Sequence, residues 1–328
     1  MKSLRLQRRA LPLALSAVLA ISFAAAQRAQ SQRAQSQPPV KEVVLRFPND
    51  RSMGKLFRLK IVSFDNPECT LYGQARGQVK LPANTKLMLQ LSYDGLADLA
   101  PLANCVDQDV IYSIDARHVE NLTDQSLQEI AKLKSVKQLL LKDGDITDTG
   151  AQYIATMPQL LHLDLSKTMV TAKGLSRLRT LTALKTLDLD MLSLKGTDLA
   201  CLPPMVHLEN LSVPRSGLAN NAMKNIGKVT SLIRLKVSKN SDITDEGVSM
   251  LANLKNLQGL NLANTGITIK CVPSLQKLRH LTSLVISLPP QELAQIKVSL
   301  RKTNPNCHVQ GVLESHGKNI DDEVFGLK

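Results

Sequence analysis

The chain has no tryptophan, and aromatic residues of any kind make up 3% of it. Single-stranded nucleic acid is usually held on aromatic faces that stack the bases. No nucleic-acid partner is therefore expected, although the formal charge is +13. Tight protein interfaces also tend to anchor on aromatic side chains, so a protein contact here must lean on charge. The five cysteines, Cys69, Cys105, Cys201, Cys271 and Cys307, include no C-x-x-C pair. That spacing is what a redox dithiol or a zinc knuckle needs. Equally absent are G-x-S-x-G, H-E-x-x-H, the phosphate-cradling G-x-x-x-x-G-K and an EF-hand loop. The six histidines are scattered, with no partner set resembling a triad. No catalytic residue, cofactor or metal centre is expected.

Long apolar runs are missing too, apart from one. Lys2, Arg5, Arg8 and Arg9 precede the stretch Ala10–Ala26, which ends in three alanines. This is the layout of a secretory signal peptide over residues 1–26, with cleavage before Gln27. An uncleaved anchor is the rival reading, and the only route to a membrane, because the run lies at the lower edge of spanning length. The expected location is secreted, periplasmic or in the cell envelope. An odd cysteine count in an exported chain leaves an unpaired thiol or a bond between chains. A Cys69–Cys105 bridge stays open.

Residues 27–40 are a duplicated polar segment with nothing to bury, and read as a flexible linker. Residues 41–95 mix short apolar and polar runs, such as Lys55–Val62, with turns at Pro48-Asn49-Asp50, Asn66-Pro67 and Pro82-Ala83-Asn84. They read as a small β-rich N-terminal cap. Lys86–Leu91 looks like a degenerate first repeat.

What is abundant is leucine at a fixed period. Leu160-Leu161-His162-Leu163-Asp164-Leu165 is answered from Leu184, Leu208, Leu232 and Leu257, at spacings of 24, 24, 24 and 25 residues. Eight units start at 111, 136, 160, 184, 208, 232, 257 and 281. Such a period marks a solenoid, whose units must stack to share one core. Each unit opens with an alternating strand pattern. Ile146-Thr147-Asp148-Thr149-Gly150 and Ile243-Thr244-Asp245-Glu246-Gly247 then read as helix starts, with Thr capping and Asp facing the positive end. Cys271 replaces the glycine of that motif and should be a small buried filler. Cations such as Lys132, Lys134, Arg177, Arg179, Lys228, Lys277 and Arg279 fall where helices should end, opposing the dipole there. The solenoid is expected over residues 96–312, with a polar tail over 313–328.

L-x-x-L-x-L followed by a short helix resembles the leucine-rich repeat family, in its helix-bearing, ribonuclease-inhibitor-like form. The resemblance implies an α/β solenoid with a curved parallel sheet, convex helices and protein recognition on the concave face. One departure is the polar residue after the strand, often Asn in that family. Here it is Gly144, Thr168, Leu192, Ser216, Asn240 and Thr265, so the buried polar ladder should be patchy.

Residues between the buried strand positions turn to the concave face. The candidate contact residues are Asp115, Arg117, His162, Asp164, Asp188, Asp190, Asn210, Arg234 and Lys236. Asp164, Asp188 and Asp190 should form an acidic patch with His162 beside it, open to a bridging divalent ion. Arg234 and Lys236 stand two strands beyond Asp188. The reading is an exported, non-catalytic scaffold that binds a protein partner. An F-box-like substrate receptor and a basic envelope protein that binds anionic polymers are the alternatives.

Overall fold

The computed structural model describes residues 42–60, 68–105, 109–197 and 199–312. The expected signal peptide, linker and tail lie outside these residues. The chain divides into two compact units, Met1–Glu42 and Val43–Lys328, and the second is described here.

The strands in chain order are β1 (Glu42–Arg46), β2 (Gly54–Lys60), β3 (Glu68–Gln74), β4 (Gln78–Pro82), β5 (Lys86–Leu91), β6 (Ile111–Asp115), β7 (Gln138–Leu140) and β8 (His162–Asp164). β9 (Thr186–Asp188), β10 (Asn210–Ser212), β11 (Arg234–Lys236), β12 (Gly259–Leu262), β13 (Ser283–Ile286) and β14 (His308–Gly311) complete them. From β5 to β14 they lie side by side in sequence order, each parallel to the next. The fourth residue of each L-x-x-L-x-L stretch meets its counterpart, Leu163 on Leu187, Leu211 and Leu235. Leu160, Leu163 and Leu165 are fully buried, as are Leu184, Leu187 and Leu189. Each such burial contributes about 1.5–3 kcal/mol. One continuous apolar core runs from Leu45 to Val309, and the fold is an α/β leucine-rich-repeat solenoid.

The β-rich start is welded into the array. β5 pairs parallel with β6, while β2 and β3 extend the same sheet in antiparallel fashion. β1 and β4 form a separate pair, and Leu45, Phe47 and Leu81 reach into the common core. Cys105 and Cys271 are buried free thiols, pushed by burial up to about 11 and about 12. The Cys69–Cys105 bridge is therefore not made. Cys271 is the buried filler expected of it.

The helices are short: α1 (Tyr93–Leu96), α2 (Asp124–Ile130), α3 (Asp148–Ile154), α4 (Ala172–Arg177), α5 (Asn220–Ile226), α6 (Asp245–Ser249), α7 (Val272–Leu275) and the longer α8 (Pro290–Arg301). The unit beginning at Leu184 departs from the expected strand-and-helix pattern, for its described residues form no helix after β9. Pro203-Pro204 and positive φ at Gly196 and Leu199 explain this, because neither suits a helix interior. Leu192, Leu194, Leu199 and Leu202 still fill the core.

The Thr-Asp-x-Gly stretches do more than start helices. Asp124 accepts hydrogen bonds from the Thr147 amide (2.9 Å) and hydroxyl (2.5 Å). Asp148 treats Thr171 alike (2.8 and 2.8 Å), and Asp245 does so with Thr268 (2.8 and 2.6 Å). Asn220 takes the role toward Thr244. The aspartate at each helix start thus holds the threonine of the following unit. A Cβ on Gly150 would lie 2.4 Å from an Asp124 carboxylate oxygen, and on Gly174 2.3 Å from that of Asp148. The glycine is there to admit the previous unit's carboxylate. Burial alone would raise the Asp148 carboxyl. The amide and hydroxyl of Thr171, helped by the Gly174 amide and Lys173, outweigh it and hold the group below its ordinary range.

Candidate protein-binding face

Leucines point to the core, so intervening strand residues look away from the helices in two parallel lines. One line runs Asp115, Leu140, Asp164, Asp188, Ser212, Lys236 and Asn261. The other runs Gln138, His162, Thr186, Asn210, Arg234 and Gly259. Alternation alone would leave these side chains open to solvent. Instead Asp115, Asp164, Asn210 and Lys236 are 3, 9, 4 and 8% exposed. Strands about 4.8 Å apart in matched register lay each polar side chain against those on both sides. The face is a close-packed polar layer.

Within that layer the expected residues sort into three groups. At the start, Arg117 clasps Asp115 with two bonds of 2.9 Å, so the two charges cancel. Toward the far end, Arg234 donates to the Asn210 carbonyl oxygen (3.0 Å), and Asn210 donates to the Thr186 hydroxyl (3.2 Å). Lys236 is buried two residues further along the same strand. The middle holds the acids. His162 Nε2 lies 3.1 Å from Asp188 Oδ2, both side chains 21% exposed. Asp164 sits beside Asp188 in register and accepts from the Ser166 amide at 2.9 Å. Burial, and next the Asp188 charge, push the Asp164 carboxyl above its ordinary range.

Asp190 does not join them. Arg215, one unit on, takes both its oxygens at 3.1 and 2.6 Å. The acidic trio is thus a pair, and the bridging divalent ion loses its third ligand. Among the described residues no group of three or more His, Cys, Asp or Glu side chains is placed to hold a metal ion.

Sequence reasoning passed over the rim where each strand ends. His118, Asp143, Lys167, Met191, Arg215, Lys239 and Asn264 all have positive φ. Each is the eighth residue of its unit, so the signal lay in the period. Their amides continue the ladder, as from Lys167 to the Asp190 carbonyl at 2.7 Å. Asp143 pairs with Lys167 at 3.3 Å. Met169 and Met191, 55 and 45% exposed, lie in the segments that follow β8 and β9.

No family model matches the chain, and no curated protein matches it. Among solved structures it is similar to an internalin from Listeria monocytogenes, at 16% identity over 72% of this chain and 85% of that one, TM-score 0.45. Internalin C2 from the same organism is 20% identical over 57% of this chain and 83% of that one, TM-score 0.40. The leucine-rich-repeat ectodomain of the Arabidopsis receptor kinase HAESA, solved with a peptide hormone, is 21% identical over 62% of this chain and 34% of that one, TM-score 0.42.

Proposed function

We propose that the chain is an exported, non-catalytic scaffold that holds another protein against the helix-free face of its sheet. The observation that carries this is the Asp164–Asp188 pair. Two acids stand side by side on adjacent strands, one of them pushed above its ordinary range, with the His162 ring against Asp188. Such an arrangement costs stability, and a charge kept at a cost points to work outside the fold. Two strands on, the half-buried Arg234 offers the opposite sign, about 10 Å away at ordinary strand spacing, with Lys236 buried on the same strand. A partner segment with a cation at one end and a carboxylate at the other matches this stripe. With aromatic anchors absent from the stripe, binding should weaken steeply with salt.

Export rests on the basic start and apolar run of residues 1–26, and location outside the cytosol follows from it. No helix among the described residues is long and apolar enough to cross a membrane. The helix-bearing, ribonuclease-inhibitor-like subtype belongs to the same proposal and rests on the short α-helices that follow most strands.

The test is crosslinked capture from native secreted material with Asp164→Asn/Asp188→Asn protein. Capture should fall about tenfold, the effect of losing roughly 1.4 kcal/mol of binding, while the melting temperature holds or rises. Undiminished capture would remove this face from the interface.

A further inference from the structure

On the helix side, α3 and α4 leave between them a recess of about 520 Å³. Gln152 and Ala155 line one wall, and Lys173, Ser176, Arg177 and Arg179 the other. The three cations are exposed, and no acid shares the lining. Cations at helix ends ordinarily serve the helix, as two do here. Lys134 donates to the Ala131 carbonyl (3.4 Å) and Lys255 to that of Ala252 (2.6 Å). The recess differs. Among the described residues, Lys173, Arg177 and Arg179 enter no ion pair. Lys173 moreover sits in the first turn of α4, at the end where a helix disfavours positive charge. Its acidic neighbour, Asp148, has both oxygens engaged by Thr171. Arg177 and Arg179 stand in the last turns of α4 and of the 3-10 turn that follows it, where the dipole favours them, but Lys173 does not, and all three open on one recess.

We propose that the recess docks a linear anionic polysaccharide, its sulfate or carboxylate groups on Lys173, Arg177 and Arg179. The amide of Gln152 and the hydroxyl of Ser176 stand among the cations as partners for sugar hydroxyls. No aromatic side chain lines the recess to stack a base. The positive charge also continues beyond it. Lys134 precedes the recess along the array, and Lys228, Lys277 and Arg279 follow it beyond the helix-less unit, whose residues 199–208 hold no Lys or Arg, each in a turn between helix and next strand. Residues 131–137, 178–185, 227–233 and 276–282 contain no Asp or Glu. A long chain of repeating charge fits such a row, whereas a single small anion would use one station only. This surface shares no residue with the acidic pair, so protein and polymer would bind independently.

Heparin serves as the probe, with the full chain. Lys173→Gln/Arg177→Gln/Arg179→Gln should weaken heparin binding about tenfold or more and flatten its salt dependence. A charge-matched control, Lys55→Gln/Lys80→Gln/Lys195→Gln, should keep most of the affinity. Equal losses in both variants would reduce the effect to net charge and overturn the proposal. So would absent heparin binding, or tighter binding to phosphatidylglycerol vesicles, polyglutamate or an oligonucleotide. Should the first variant fail to fold, footprinting of the unaltered protein decides. Heparin should shield Lys173 from acetylation and Arg177 and Arg179 from phenylglyoxal, and unchanged labelling would refute the site.

Discussion

The edge where the helices begin and the face where the strands look away from them both carry rows of aspartate, held in opposite ways. At the edge, Asp124, Asp148 and Asp245 each receive an amide and a hydroxyl from the next unit's threonine, and Asp148 is held below its ordinary range. On the face, Asp164 is buried next to another carboxylate and pushed above it. The edge acids recur with the period and tie unit to unit. The acidic pair on the face does not recur. Periodicity thus separates what the repeat needs in order to stack from what one stretch of the array adds.

Three substitutions would break or sharpen that contrast. Gly150→Ala puts a Cβ against Asp124, Ile146 and Leu127 and should cost about 1–3 kcal/mol. A neutral result in urea denaturation would mean that the glycine does not exist to admit the carboxylate. Asp148→Ala removes the acceptor of Thr171 and should cost about 1–2 kcal/mol at neutral pH. A carboxyl with a lowered folded pKa stabilises above its unfolded pKa and stops doing so as pH falls through the folded one. The gap between this variant and the parent should accordingly close in acid, and thermal melts from pH 7 to 2 read it. Asp164→Asn keeps an oxygen for the Ser166 amide and removes the charge. A raised folded pKa gives stability that is complete below the unfolded pKa and disappears as pH rises through the folded one. The variant should therefore gain up to about 1 kcal/mol at neutral pH and match the parent near pH 3. A loss at neutral pH would show that Asp164 supports the fold.

Strand positions, their register and the shared core could be read from leucine spacing, because an apolar period specifies which side chains must meet. The thread from Asp124 to Thr147 could not. Its two ends are joined by stacking, and local helix rules account only for the capping half, as in the Thr147 hydroxyl accepting from the Thr149 amide at 3.1 Å. Alternation gave the direction of Asp164 and Lys236 but not their cover, which comes from neighbouring strands. Asp190 looked like a third acid until Arg215, in the following unit, was placed against it. What escaped in each case was a contact between units, set by geometry across the stack.

The aspartate–threonine thread also has a gap. Ala172 stands where Asp124 and Asp148 stand in their units, and Ala219 where the threonines do, so the thread lapses after Thr171 and resumes from Asn220 to Thr244. The helix-less unit that begins at Leu184 occupies that gap. The solenoid is consequently two blocks braced by that thread, joined by a stretch that lacks it and is held by leucine packing, sheet pairing and side-chain contacts such as Arg215 on Asp190. Opening motions should begin at this seam, with amide exchange there outpacing that in either block. Asp164 and Arg234 lie on opposite sides of it, so a guest grasping both would act as the missing brace.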